Sequence, residues 1–104
     1  MKLKEGVILA GLDISMRPAL MIAEEIWRSF GQELVVTSGL DGVHTAGSLH
    51  YYGFALDFRT RYFTDEQKSE ARRVLKNALG SKFNVLEYPT HIHVENRSAL
   101  RGDT

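Results

Sequence analysis

Between Phe54 and Arg59 the chain alternates residue by residue, with Phe54, Leu56 and Phe58 on one side and Ala55, Asp57 and Arg59 on the other. A period of two marks a strand whose two faces meet different surroundings. One side belongs to an aromatic core; the other carries a carboxylate in the middle of an apolar segment. Burying that carboxylate without a partner is costly, so Asp57 calls for a metal, an arginine or backbone amides beside it.

The rest of the pattern supplies what covers the aromatic side. Apolar residues recur at Ala19, Ile22, Ala23, Ile26, Trp27 and Phe30, which describes one face of a helix. Ser15 is expected to cap it, with Pro18 in the first turn and Gly31 ending it in a left-handed conformation. Thr64-Asp-Glu-Gln67 fits a capping box for a second helix, whose buried stripe runs through Ala71, Val74, Leu75, Ala78 and Leu79 to a stop at Gly80. Further strands are expected at Glu33 to Thr37, Phe83 to Tyr88 and His91 to Glu95, with Pro89 marking a turn or bulge. Gly39 to Gly53 contains four glycines and no sustained period, and reads as a long irregular loop of the kind that carries function.

At 104 residues the chain has room for one hydrophobic core. Residues 1–96 are expected to form a single domain and 97–104 a loose tail. Thirteen basic and thirteen acidic side chains cancel, so no overall field draws the protein to nucleic acid or to an anionic membrane. Nor does any segment approach the length of a membrane span. With no cysteine, thiolate metal sites and cysteine nucleophiles are excluded, and a metal would have to be held by histidine and carboxylate. Glu5 and the shortness of the N-terminal apolar run argue against a secretory signal, so a cytoplasmic location as synthesised is expected. A monomer is the expected state.

Three of the four histidines fall in two clusters, His50 in Ser48-Leu-His50 and the pair His91-Ile-His93, each close to a carboxylate, Asp57 or Glu87. Residues two apart on a strand share a face, so His91 and His93 point the same way. Two imidazoles and a carboxylate are ligands that zinc accepts, and a catalytic zinc takes three protein ligands and keeps a fourth position open. His50, Asp57 and His93 supply that count. Glu87, across the Pro89 turn from the His pair, is placed in sequence to act as the base, and His91 to hydrogen-bond an oxyanion or hold a water. His44 reads as a solvated loop residue, and the stripe Lys68, Arg72, Lys76, with Arg73 beside it, as solvated helix surface. Arg101-Gly-Asp103 is too short a match to use.

Taken together, Ser48-Leu-His-Tyr-Tyr-Gly-Phe-Ala-Leu-Asp57 and Glu87-Tyr-Pro-Thr-His-Ile-His93 resemble the metal-binding motifs of the hedgehog/D-Ala-D-Ala peptidase superfamily, S-x-H-x-x-G-x-A-x-D and E-x-x-x-H-x-H. The resemblance runs from about Leu34 to Glu95. It implies an α+β fold, an antiparallel sheet with two helices packed on it and the metal site on the sheet. One zinc ion would be held by His50, Asp57 and His93, with Glu87 as base and with Gly53 and Ala55 where side chains would crowd the metal. Members cleave peptide bonds in bacterial cell-wall peptidoglycan as D,D- or L,D-carboxypeptidases, dipeptidases or phage endolysins, whereas the similar hedgehog domains bind partners. The resemblance therefore implies peptidoglycan stem peptides as substrate, and action on the wall after release if the protein is an endolysin. It leaves a non-catalytic, zinc-stabilised binding module or virion component as the alternative. The carboxylate-holding arginine common after the first strand of the enzymes is missing from Ser38-Gly-Leu-Asp-Gly42, leaving exo- and endopeptidase open. Arg59 or Arg61 are substitute anchors, and Ser48 a substrate or ligand-supporting hydrogen-bonder.

Overall fold

The computed structural model describes residues 1–39 and 53–98. In chain order the elements are β1 (Lys2–Leu3), a single 3-10 turn (Ile14–Met16), α1 (Arg17–Ser29), β2 (Val35–Ser38), β3 (Ala55–Arg59), α2 (Asp65–Leu79), β4 (Phe83–Glu87) and β5 (His91–Asn96). The strands form one five-stranded sheet in the order β1-β2-β3-β5-β4. This is an α+β fold. The sheet is mixed rather than purely antiparallel, because the short edge strand β1, which has no periodicity to announce it, pairs parallel with β2. The expected loop lies mostly within 40–52 and the expected tail mostly within 99–104, both outside the described residues.

Local chemistry explains where each helix starts and stops. Thr64 and Gln67 exchange side chain to backbone hydrogen bonds as a capping box, with Asp65 and Glu66 at the positive end of the α2 dipole. At the end of α1, Gly31 takes a φ of 72°, its N–H donates to Arg28 O, and Gln32 N–H reaches back to Trp27 O. This is the double hydrogen bond of a Schellman stop. The start of α1 corrects the reading of Ser15 as its cap. Asp13 caps the 3-10 turn by accepting from Ser15 N–H, while the Ser15 hydroxyl accepts from the buried Asn96 amide at 2.9 Å.

Both helices cover one face of the sheet. Ala19, Ala23, Ile26 and Trp27 of α1 and Ala71 and Leu75 of α2 bury against Val36, Leu56, Phe58, Val85, Ile92 and Val94. Trp27 ties α1 to β3: its ring meets Phe58 edge-on at 5.8 Å and its indole N–H donates to Arg59 O at 2.9 Å. Ala78, expected in the α2 stripe, is exposed. The basic residues of α2 are also not simply solvated. Lys68 donates to Pro89 O, Lys76 to Phe83 O, and Arg72 lies 4.0 Å from Glu87, so the stripe lashes α2 to β4 and the turn after it.

Gly53 is required for backbone reasons. Its φ is +78°, its C=O accepts from Asp13 N–H, and a Cβ there would stand 2.5 Å from Gly11 O. The crowding here comes from the backbone of the segment before α1. Gly53→Ala is therefore expected to destabilise by about 2–4 kcal/mol, from left-handed backbone strain and overpacking together. Urea unfolding in chelator, where no metal contributes, measures this. A loss below about 0.5 kcal/mol would show that the 11–13 segment yields freely.

Candidate metal centre

The face of the sheet opposite the helices is set by one register. Along β3 and β5 the cross-strand partners are Ala55 with Glu95, Asp57 with His93 and Arg59 with His91, while Leu56–Val94 and Phe58–Ile92 point into the core. Because directly opposed residues share a face, Asp57, His91, His93, Arg59 and Glu95 all emerge together. A β-bulge sharpens the site: the pairing of β2 with β3 shifts between Val36 and Ser38, beside Asp57. Bulges of this kind re-aim neighbouring side chains. Thr37 Oγ1 makes a long 3.5 Å contact to Asp57 O there.

Asp57 and His93 meet directly, with His93 Nδ1 2.8 Å from Asp57 Oδ1. On its other side His93 Nε2 stands 2.6 Å from Glu95 Oε1, and the second oxygen of Glu95 accepts from Asn84 Nδ2 at 3.1 Å. His91 is more exposed, its Nε2 3.9 Å from Asp57 Oδ2. Tyr88 stacks on His91 with ring centroids 5.0 Å apart and meets His93 edge-on at 6.4 Å. In front of Asp57 and His91 opens a groove of about 550 Å³, whose walls include Lys4, Arg59, Arg61 and Thr90. Three cations around one carboxylate and an imidazole make it a place for anionic groups.

Of the three residues expected to hold zinc, the structure brings Asp57 and His93 together; His50 lies outside the described residues, as do Ser48 and His44. Among the described residues no three His, Asp or Glu side chains form a metal-holding group. The donor pair nevertheless suits zinc. Ligands about 2.0–2.1 Å from a tetrahedral ion stand roughly 3.3 Å apart, so Nδ1 and Oδ1 need separate by only about half an ångström. Compared with protein-family models the chain matches none, and no curated protein matches it.

Glu87 is not brought to this pair. The β4–β5 register sets it opposite Ile92, a core residue, and its carboxylate meets Ser69 Oγ at 3.3 Å and the Arg72 guanidinium on α2. The short spacing from Glu87 to His91 carried no information about faces, and a basic helix stripe on the core side drew the carboxylate there. The residue that this strand end does present to the imidazoles is Tyr88. Glu95 and Asn84 escaped the sequence reading too, although the i, i+2 relation of His93 and Glu95 was the signal that would have found Glu95.

Burial alone would push the His93 imidazole down, but its hydrogen bonds to Asp57 and Glu95, reinforced by both negative charges, outweigh this and hold its pKa above the ordinary 6.5. A raised folded-state pKa contributes stability that is fully present below the unfolded value and is lost as pH rises through the folded one. The metal-free protein is therefore expected to weaken from about pH 6.5 upward through that raised pKa. Urea titrations in chelator, repeated with His93→Gln, check this: the variant should lose that part of the pH slope, and an unaltered slope would assign it to other groups.

Proposed function

We propose that this chain is a zinc-dependent hydrolase of peptide bonds in bacterial cell-wall peptidoglycan, holding one zinc ion per chain with His50, Asp57 and His93. The observation that carries the reading is the 2.8 Å approach of Asp57 Oδ1 to His93 Nδ1 on the sheet face opposite the helices, at two of the three ligand positions of the motif. Zinc, when bound, would polarise a peptide carbonyl and lower the pKa of water from about 15.7 to roughly 7.

The chain's own residues supply the rest. His91, at the groove and stacked on Tyr88, donates a hydrogen bond to the carbonyl oxygen as it gains charge. Arg59, with Lys4 and Arg61, faces the groove and suits the carboxylates of a stem peptide. Ser48, two residues before His50, supports the ligand or the substrate. Glu87 takes the proton from water and passes it to the leaving amine, which requires the end of β4 to turn its carboxylate from the helix side of the sheet, where it contacts Ser69 and Arg72 at 3.3 to 4.0 Å, to the groove side.

A second reading is favoured by that same position of Glu87. With its base held against α2, a zinc-stabilised domain of this kind would bind a partner with the face around the metal, as a binding module or virion component, and leave it uncut. Among the described residues no helix is long and apolar enough to cross a membrane. If the protein is a phage endolysin, it is made in the cytoplasm and reaches the wall after release.

Turnover on purified peptidoglycan, with fragments identified by mass, separates the two readings. Zinc-loaded protein should release fragments, chelator should stop release, and Glu87→Ala should lower the rate at least about 100-fold with about one zinc per chain retained. Stoichiometric zinc with no release from several wall chemotypes would establish the binding module, and loss of zinc in Glu87→Ala would make Glu87 a ligand.

A further inference from the structure

His93 has a carboxylate at each ring nitrogen, Asp57 at Nδ1 and Glu95 at Nε2. A neutral imidazole has one N–H, so it can donate to only one of them. The two sides are not equivalent. Asp57 lies at the groove, with its second oxygen toward His91. Glu95 sits behind the ring, one residue pair further along the sheet, and its second oxygen is already occupied by the Asn84 amide. Asn84 and Glu95 are direct cross-strand partners, so the sheet itself holds that carboxylate in place.

We infer that Glu95, held by Asn84, is the positioning residue of the metal centre: it accepts from His93 Nε2–H, and so fixes the tautomer in which Nδ1 offers its lone pair beside Asp57. This rests on the zinc reading above and adds to it a residue outside both motifs. A carboxylate behind a metal-binding histidine sets the ring's orientation and raises its basicity, and loss of such a partner typically lowers metal affinity 10- to 100-fold. The linear chain Asn84–Glu95–His93–Asp57 spans three strands, β4, β5 and β3, with every contact 3.1 Å or less; in this tautomer Asn84–Glu95 and Glu95–His93 are the hydrogen bonds, and the 2.8 Å Nδ1–Oδ1 contact to Asp57 carries no proton.

The test is zinc affinity by competition with a chromophoric chelator, together with the absorption spectrum of the cobalt-loaded protein and ¹⁵N NMR of the His93 ring. Glu95→Ala is expected to bind zinc roughly 10- to 100-fold more weakly while keeping the cobalt band positions, and Glu95→Gln, whose amide oxygen still accepts from Nε2–H, to recover most of the loss. Asn84→Ala leaves Glu95 in place and carries the test if the Glu95 variants fail to fold; it should weaken binding by about two- to fivefold. In zinc-loaded wild type the NMR spectrum should show the proton on Nε2. Wild-type affinity in both Glu95→Ala and Asn84→Ala, or a proton on Nδ1, would overturn the inference while leaving the zinc reading intact. A Glu95→Ala protein that matches Asp57→Ala in metal loss, with an altered cobalt spectrum, would make Glu95 a ligand and also overturn it. Failure of the wild-type protein to bind zinc or cobalt would remove the inference and the zinc reading together.

Discussion

The pairing of Asp57 with His93 across β3 and β5 is the constraint from which the rest of the site follows. Because side chains alternate along both strands, that one register sends Leu56, Phe58, Ile92 and Val94 to the helices and Asp57, His91, His93 and Glu95 to the other face. A slip by one residue would exchange the two sets, placing two imidazoles and two carboxylates in the core and four large apolar groups outside. Burial of the apolar set against Trp27, Ala23 and Leu75 is thus what keeps the polar set converged. The stability of the core and the geometry of the candidate centre are the same fact seen from two sides of one sheet.

The edges of this arrangement are held by groups that do no chemistry. Trp27 fastens α1 to the end of β3 through Arg59 O, and the stop at Gly31 turns the chain back toward β2. On the far edge, Lys68, Arg72 and Lys76 bind α2 to β4 and to the turn that precedes His91. Gly53 lets the chain enter β3 against the backbone of residues 11–13, where any side chain would collide. Trp27 and Gly53 act on the two ends of β3 and Lys68 on the turn into β5, while the other contacts fix the neighbouring strands β2 and β4.

The polar face has its own internal order. His93 is held from both sides, His91 is steadied by Tyr88 and opens to the groove, and the cations Lys4, Arg59 and Arg61 stand along that groove. The charge is divided: carboxylates gather around His93, cations around the space in front of it. Glu87 stands apart from both, on the helix side, where Arg72 and Ser69 take its charge. That separation is the physical issue between the hydrolytic and the binding readings, since a proton acceptor acts only within hydrogen-bond reach of the group it serves.

Periodicity and capping chemistry in the sequence were enough to locate both helices, four of the five strands and the face of β3 that carries Asp57, because these depend on neighbours a few residues apart. Thr64 with Gln67, Gly31 and Gly80 marked helix ends correctly for the same reason. The two histidine clusters and Asp57 could also be seen as candidates, since a polar residue inside an apolar pattern stands out locally. Tertiary structure alone decided the partners: β1 joined in parallel, Ser15 served Asn96 instead of the helix, Glu87 turned to α2, and Glu95 closed on His93. Each of those outcomes depends on strand register and on which helix covers which face. Such long-range pairings are set by burial of the whole core, and no window of sequence contains them.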